Sequence, residues 1–304
     1  MDEREHSEQL RVGLIGAGQW AKVIHAPGIA AHPGTRLTSV WARRPEAAAE
    51  IAQQHGAEVA ADPEALFDSV DAVAFAVPPN IQADLARTAA QRGKHLILEK
   101  PIALSVEAAE QLAETVSDNK VASLMLLTRR FAPEVRDWLA EVNQTEGWQG
   151  GSVRWLSGSL LDAKFADSRW RHTETGDLFD VGPHAIDLLD AALGPVTGVH
   201  AVHRTEEAVW QLILEHEGGA TSTATLSMRT PIRPSINDLS VFGKAGHREF
   251  RGASTEPPAC YTALLDDFVA MIGEGRHQHP LDVRRGVHLQ RILESARDLA
   301  AAGR

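Results

Sequence analysis

Three side chains in this sequence have types and spacing suited to proton chemistry. Asp180 and His184 lie four apart in "GDLFDVGPHAIDLLDAALG" (176–194), and Lys100 is held between a glutamate and a proline in "KHLILEKPIALS" (94–105). On a helix, a spacing of four puts two side chains on one face. A histidine oriented by a carboxylate is a standard acid–base arrangement. Pro183 has no N–H to donate, so it belongs in a first helical turn or at a kink, with Asp180 at or just before the helix start. Ile186, Leu189 and Leu193 then form the buried stripe. The same pair also reads as a helix cap and a satisfied core histidine. Lys100 follows the apolar run 96–98, the end of a buried strand. Pro101 fixes the backbone after it and restricts Lys100 itself, so the lysine is aimed; Glu99 pairs with it or anchors the turn. A surface-loop lysine is the ordinary alternative.

The elements that position these residues show two patterns. Over the first 127 residues, short apolar runs alternate with helical stretches. "RVGLIG" (11–16), "RLTSVWA" (36–42), "DAVAFAV" (71–77), "KHLILE" (94–99) and "VASLMLL" (121–127) read as buried parallel strands. Helices are expected at about 19–31, at 45–56 between Pro45 and Gly56, at 80–93 and at 105–118. This alternation implies a parallel sheet covered on both faces. After Thr128 the period changes. "GGSVRWLSGSL" (150–160), "VHAVHR" (199–204), "AVWQLILEHE" (208–217), "ATSTATLSM" (220–228) and "DLSVFG" (238–243) follow with little helix between them, which reads as a mostly antiparallel sheet. Helices near 259–274 and 283–302 close the chain. The expected architecture is an α/β Rossmann dinucleotide-binding domain (1–127) followed by an α+β domain (128–304) with a large, mostly antiparallel sheet.

"GLIGAGQWA" places Gly16, Gly18 and Ala21 as G-x-G-x-x-A between a strand and a helix. Gly16 permits the tight turn, Gly18 lets the backbone approach a pyrophosphate, and Ala21 lets helix and strand pack closely. The helix N-terminus faces the phosphates. Gln19 and Trp20 in this loop and Pro78 after the third clear strand are further cofactor-binding candidates, as are Glu99 and Lys100 in the lysine turn. The second strand ends in "VWARR". No carboxylate is present there to take a ribose 2′-hydroxyl, and Arg43 and Arg44 are able to clamp a 2′-phosphate. NADP is therefore preferred over NAD as the expected cofactor; with the arginines merely solvated, NAD still binds.

Composition removes several other functions. The net charge of −11 argues against nucleic-acid binding. The polar stretch "MDEREHSEQLR" lacks a secretory pattern, and no apolar run approaches bilayer length. The one cysteine, Cys260, fits a reducing, cytoplasmic setting and excludes a disulfide framework. His277 and His279 in "GRHQHP" lack a carboxylate pair, so no metal is expected.

Taken together, "GLIGAGQWA", "EKP" (99–101), "RRFAP" (129–133), "W-R" (170–171) and "D-x-G-x-H-x-x-D" (180–187) resemble the Gfo/Idh/MocA oxidoreductases over nearly the whole chain. The resemblance implies hydride transfer between NAD(P) and a sugar, cyclitol or related alcohol or carbonyl compound (a CH–OH dehydrogenase or reductase). It makes Lys100, Asp180 and His184 catalytic. His184 then serves as base for the hydroxyl proton, Lys100 stabilises charge on the reacting oxygen, and Asp180 orients or tunes the histidine. Arg130, Trp170 and Arg171 join these three as substrate-pocket candidates. The resemblance also implies a homodimer or homotetramer formed through the C-terminal sheet. Two segments depart from the family pattern. In "PPNIQ" (78–82), Pro79 and Gln82 stand where asparagine and histidine are usual, and "TETGD" (173–177) keeps only Gly176 of a glycine triplet. These departures leave two other readings: a catalytically silent NAD(P)-binding sensor of the same fold, and a reductase of a pyrrole or imine.

Overall fold

The computed structural model describes residues 9–162 and 168–303. Residues 1–8, most of the stretch inspected for a secretory pattern, lie outside that range. The chain forms two compact units. One holds the chain up to Leu126 together with Pro257–Val287, the other Leu127–Glu256 and His288–Arg304. The sequence reading kept 128–304 as one domain; the structure instead returns 257–287 to the first unit. Backbone and side-chain bonds explain the return. Met125 N–H donates to Leu281 C=O at 2.8 Å, and Val283 N–H donates to Ser123 Oγ at 3.1 Å.

The first unit is built on β1 (Leu10–Ile15), β2 (Thr35–Trp41), β3 (Glu58–Val59), β4 (Ala72–Phe75), β5 (His95–Leu98) and β6 (Ser123–Met125). Among the described residues these form one sheet in the order β3-β2-β1-β4-β5-β6, all pairs parallel. The order reverses direction between β1 and β4, the topological switch point at which ligands of such sheets bind. The strands are runs of Val, Leu, Ile, Ala and Phe because helices cover both faces.

Local signals set the helices. α1 (Ala26–Ala31) continues a π-helical turn at Ala21–His25. α2 (Pro45–His55) begins with Pro45 and ends at Gly56, whose φ of 67° is left-handed. α3 (Pro63–Ser69) is capped by Asp62, which accepts from Ala65 N–H. α4 (Pro79–Gln91) follows β4. α5 (Val106–Asp118) is capped by Ser105.

The second unit contains α6 (Pro133–Asn143), β7 (Trp148–Leu156), α7 (Gly176–Leu193), β8 (Val196–Arg204), β9 (Trp210–His216), β10 (Thr221–Ser227), β11 (Ile236–Gly243) and β12 (Gly246–Arg251). Its sheet runs β12-β11-β7-β10-β9-β8, antiparallel except for the parallel pair β7/β10. α7 packs against β7 and β10. Alternate residues such as Val153, Leu212, Leu214, Leu226 and Val241 are buried, while Ile213 and Phe242 are exposed. α8 (Pro257–Gly273) belongs to the first unit, and the division between units falls inside α9 (Val283–Ala302). Among the described residues, no helix is long and apolar enough to cross a membrane.

Candidate active site

The glycine loop leaves the end of β1 at the sheet's carboxyl edge. Gly16 N–H donates to Trp41 C=O at 2.8 Å, and Ala76 N–H donates to Ile15 C=O at 2.8 Å. Gly16 has φ +118°, and a Cβ there would stand 2.3 Å from Ala76 O. Only glycine fits that backbone. Gly18 is exposed, and a Cβ on it would meet nothing within 4 Å. Open space at this glycine, ahead of a helix that begins at residue 19, suits a pyrophosphate on a helix N-terminus. Ala21 is fully buried beneath the turn. Gln19 is exposed and Trp20 half-buried at the helix start, while Pro78 is exposed just before α4. Arg43 and Arg44 are exposed directly after β2. All these cofactor candidates therefore share one edge of the sheet.

At the same edge β5 is followed by Glu99, Lys100 and Pro101, with a cis Lys100–Pro101 peptide bond. Gln82, fully buried on α4, binds this turn along its main chain. Its Oε1 accepts from Glu99 N–H at 2.8 Å. Its Nε2 lies 2.7 Å from Glu99 O, 3.2 Å from Ile102 O and 3.4 Å from Pro101 O. An amide suits the position because it offers an acceptor and donors together at every pH. The "PPNIQ" departure thus installs a clamp on the lysine turn. Glu99 turns its carboxylate inward. Oε1 is 2.9 Å from His25 Nε2, and Oε2 accepts from Lys100 N–H at 3.3 Å. Lys100 is half-buried.

In the second unit the structure corrects one expectation. α7 begins at Gly176, so Asp180 lies in the second helical turn and Pro183 in the helix interior. The start is early because Gly176 packs where no side chain fits: a Cβ there would be 2.0 Å from Arg171 O. Asp177 then ties the first turn to the end of β10. Its carboxylate accepts from Met228 N–H at 2.6 Å and from Arg229 Nε at 3.0 Å. The single glycine retained in "TETGD" is the one the backbone requires.

α7 is buried on nearly every side, and five ionisable residues run along it. Asp177, Asp180, His184, Asp187 and Asp190 are each less than a tenth exposed. Buried charges need partners, and each aspartate has one. Asp177 holds Arg229, Asp180 takes Arg171 Nε at 2.8 Å, Asp187 takes Arg130 Nη1 at 3.0 and 3.1 Å, and Asp190 meets His288 Nε2 at 2.7 Å. His184 stacks on Trp155 of β7, ring centroids 5.2 Å apart and planes at 19°.

Asp180, His184, Trp170 and Arg171 are thereby gathered on one part of the second unit. Arg171 stacks on Trp170 at 4.4 Å, and its Nη1 donates to Ser168 Oγ at 2.9 Å. The guanidinium of Arg130 grips Asp187 and so braces α7. Sequence reasoning did not single out Trp155, Asp177, Arg229, His25 or Tyr261. Trp155 lies inside the stretch read as a strand (150–160), which gave it no functional mark.

Known proteins carry the same arrangement of domains. Residues 10–126 match the family model described as "Oxidoreductase family, NAD-binding Rossmann fold", and residues 149–249 match the GFO/IDH/MocA C-terminal domain. Levoglucosan dehydrogenase of Pseudarthrobacter phenanthrenivorans is 31% identical over 217 residues, 65% of this chain and 55% of that protein. Inositol 2-dehydrogenase of Rhizobium meliloti is 37% identical over 186 residues, 61% of this chain and 55% of that protein. The matches thus span little more than half the length of these curated relatives. The crystal structure of GenD2 from gentamicin A biosynthesis in complex with NAD superposes with a TM-score of 0.85 at 21% identity, over 100% of this chain and 97% of that one. Likeness at that identity establishes the fold.

Proposed function

The chain belongs to the Gfo/Idh/MocA oxidoreductase family, with its NAD-binding Rossmann fold, and on that premise we propose that it catalyses hydride transfer between a nicotinamide dinucleotide and an alcohol or carbonyl carbon of a sugar or cyclitol. The observation that carries this reading is the lysine turn. Lys100 stands at the carboxyl edge of the sheet, the same edge as the glycine loop, on a backbone clamped by Gln82. The names of the relatives, an inositol and a levoglucosan dehydrogenase, point to the same substrate class.

The open space at Gly18 and the φ of Gly16 fit a dinucleotide. The loop backbone and helix start would hold its pyrophosphate, and Arg43 and Arg44 a 2′-phosphate, so we propose a preference for NADP over NAD. When bound, the cofactor supplies or accepts the hydride. The protein does the rest. Lys100 donates a hydrogen bond to the reacting oxygen and stabilises its developing charge. His184, held flat against Trp155, takes the hydroxyl proton in oxidation and returns it in reduction. Asp180 fixes the local field while paired with Arg171, and Arg171 and Trp170 border the substrate. A cytoplasmic location is part of this proposal. So is assembly into a dimer or tetramer through the outward sheet face around Ile213 and Phe242, which are 45% and 49% exposed; light scattering tests the assembly.

The test titrates the protein with NADPH and NADH, following tryptophan fluorescence, and then screens polyols and sugars, myo-inositol and levoglucosan included, for formation of reduced cofactor. Dinucleotide binding with turnover of a polyol or sugar supports the proposal. Binding with no turnover across the panel in either direction would favour the sensor reading. No dinucleotide binding by a folded sample removes the function.

A further inference from the structure

His25 is fully buried, on the helix that begins at the glycine loop, 74 residues before the glutamate it contacts. It closes the π-helical turn Ala21–His25, whose Ala21 C=O accepts from Ala26 N–H. Such turns insert one residue into a helix and re-aim the side chains around it, frequently at functional sites. Here the re-aimed ring bridges two partners. Nε2 is 2.9 Å from Glu99 Oε1, and Nδ1 is 3.0 Å from the Tyr261 hydroxyl. Tyr261 comes from α8 and packs edge-on to the imidazole, ring centroids 4.9 Å apart. Gly28 makes room for it, since a Cβ there would stand 2.4 Å from Tyr261 Cδ1.

The two hydrogen bonds have fixed directions. A carboxylate only accepts, so Nε2 carries the proton toward Glu99. Burial, with the Glu99 charge adding to it, pushes the Tyr261 phenol well above its ordinary range. Tyr261 therefore stays a neutral hydroxyl and donates to Nδ1. One tautomer of His25 satisfies both contacts. Glu99 in turn accepts from the Lys100 backbone N–H, so the order of contacts is Tyr261, His25, Glu99, Lys100. Gln82 restrains the same turn from α4 through its main chain. Neither His25 nor Tyr261 belongs to the motifs that suggested the function.

We propose that His25 is a positioning residue for Lys100, acting through the Glu99 carboxylate, with Tyr261 holding the ring by donating to its Nδ1. The inference rests on Lys100 being the reacting cation of the proposed function. Its role is geometric: displacing a reacting group by about 1 Å costs on the order of 10²-fold in rate.

Two substitutions separate this role from mere packing. A glutamine amide reproduces the imidazole Nε2 position, so His25→Gln keeps the donor to Glu99. An asparagine amide reproduces Nδ1, so His25→Asn keeps the contact with Tyr261 and loses Glu99. Tyr261→Phe removes only the hydroxyl and guards against an unfolded His25 variant. The first readout is NMR. Lysines are methylated with ¹³C-formaldehyde, and the Lys100 signal is identified by its loss in Lys100→Arg. The expected result is a Lys100 signal that moves in His25→Asn and stays near the wild-type position in His25→Gln. A ¹⁵N-histidine spectrum should show the Nε2-protonated tautomer for His25 and keep it in Tyr261→Phe, where Glu99 still requires it, with the Nδ1 resonance shifted by loss of the phenol's hydrogen bond. A Lys100 signal unmoved in folded His25→Asn, or a Nδ1-protonated His25, overturns the proposal. With any polyol the wild type turns over, kcat should fall on the order of 10²-fold in His25→Asn and recover in His25→Gln, with dinucleotide KM little changed. If no polyol reacts, the function fails, yet the two NMR results still decide the positioning role.

Discussion

Arg171 Nε donates to Asp180 Oδ2 at 2.8 Å, so the buried aspartate of the D-x-G-x-H motif is neutralised by an arginine nine residues before it. The pairing bears on two expectations. It places Arg171 and Trp170 beside Asp180, as a shared pocket requires. It also means that Asp180, one helical turn before His184, is held as half of an ion pair.

Replacing Arg171 with glutamine should leave Asp180 buried without its cation. Removing one member of a buried pair costs about 3–5 kcal/mol. Because the Arg171 side chain is 23% exposed, the expected loss is nearer ~2 kcal/mol. Thermal unfolding should show a clear drop in Tm, and the double variant Arg171→Gln/Asp180→Asn should restore part of it. An unchanged Tm in Arg171→Gln would contradict the pairing.

Lys100→Met should keep dinucleotide affinity while kcat falls by ~10²–10⁴-fold, the span typical of a lost proton-transfer or oxyanion group. Fluorescence titration and steady-state rates on the same samples check this. Equal losses in binding and turnover would instead make Lys100 a cofactor anchor.

Arg43→Ala/Arg44→Ala should weaken NADPH and spare NADH. Hydrogen bonds to charged groups contribute about 1.5–3 kcal/mol, so the NADPH Kd should rise by ~10-fold or more. If both cofactors respond alike, the arginines do not read a 2′-phosphate.

Gly176→Ala puts a methyl group 2.0 Å from Arg171 O, an atom of the backbone. Accommodation requires Arg171 to move, and with it the ion pair to Asp180. A destabilisation of about 1–3 kcal/mol is expected, together with loss of activity. Gly18→Ala, where a Cβ meets nothing within 4 Å, should fold normally and lose dinucleotide affinity alone.

Acid stability has a traceable source in the second unit. Glu134 at the start of α6 accepts from Thr255 Oγ1 at 2.6 Å and from Thr255 N–H at 2.7 Å. These bonds lower its pKa to about 2. A folded pKa below the unfolded value contributes stability above the unfolded pKa, which is lost as pH falls from about 4.5 toward about 2. After solvent screening the contribution is about 1 kcal/mol. Glu134→Gln should therefore lower Tm near neutral pH and flatten its decline in that acid window.

The parallel sheet was legible because its strands are buried on both faces and read as apolar runs between helix signals. β3, two residues long, and α3, seven residues long, carried too little pattern to be seen. The start of α7 was misplaced for a different reason. A helix buried on all sides lacks the amphipathic rhythm that marks its ends, and Pro183 suggested a first turn. The motif residues themselves were visible, and their partners were not. Asp187 meets Arg130 across 57 positions, and Asp177 meets Arg229 across 52. Nothing local predicts such pairings; only the sheet brings them together. Gln82 shows the converse. Read from the sequence as a departure from its family, it proves to be the clamp on the lysine turn.

Because Pro257–Val287 completes the first unit, that unit is assembled from two separate stretches of chain, with Leu127–Glu256 of the second unit translated in between. The nascent Rossmann sheet must wait for α8 before His25 meets Tyr261. The contact between His25 and Tyr261 is therefore a late event in biosynthesis, and a chain arrested before residue 257 carries its glycine loop and its lysine turn with no Tyr261 against His25.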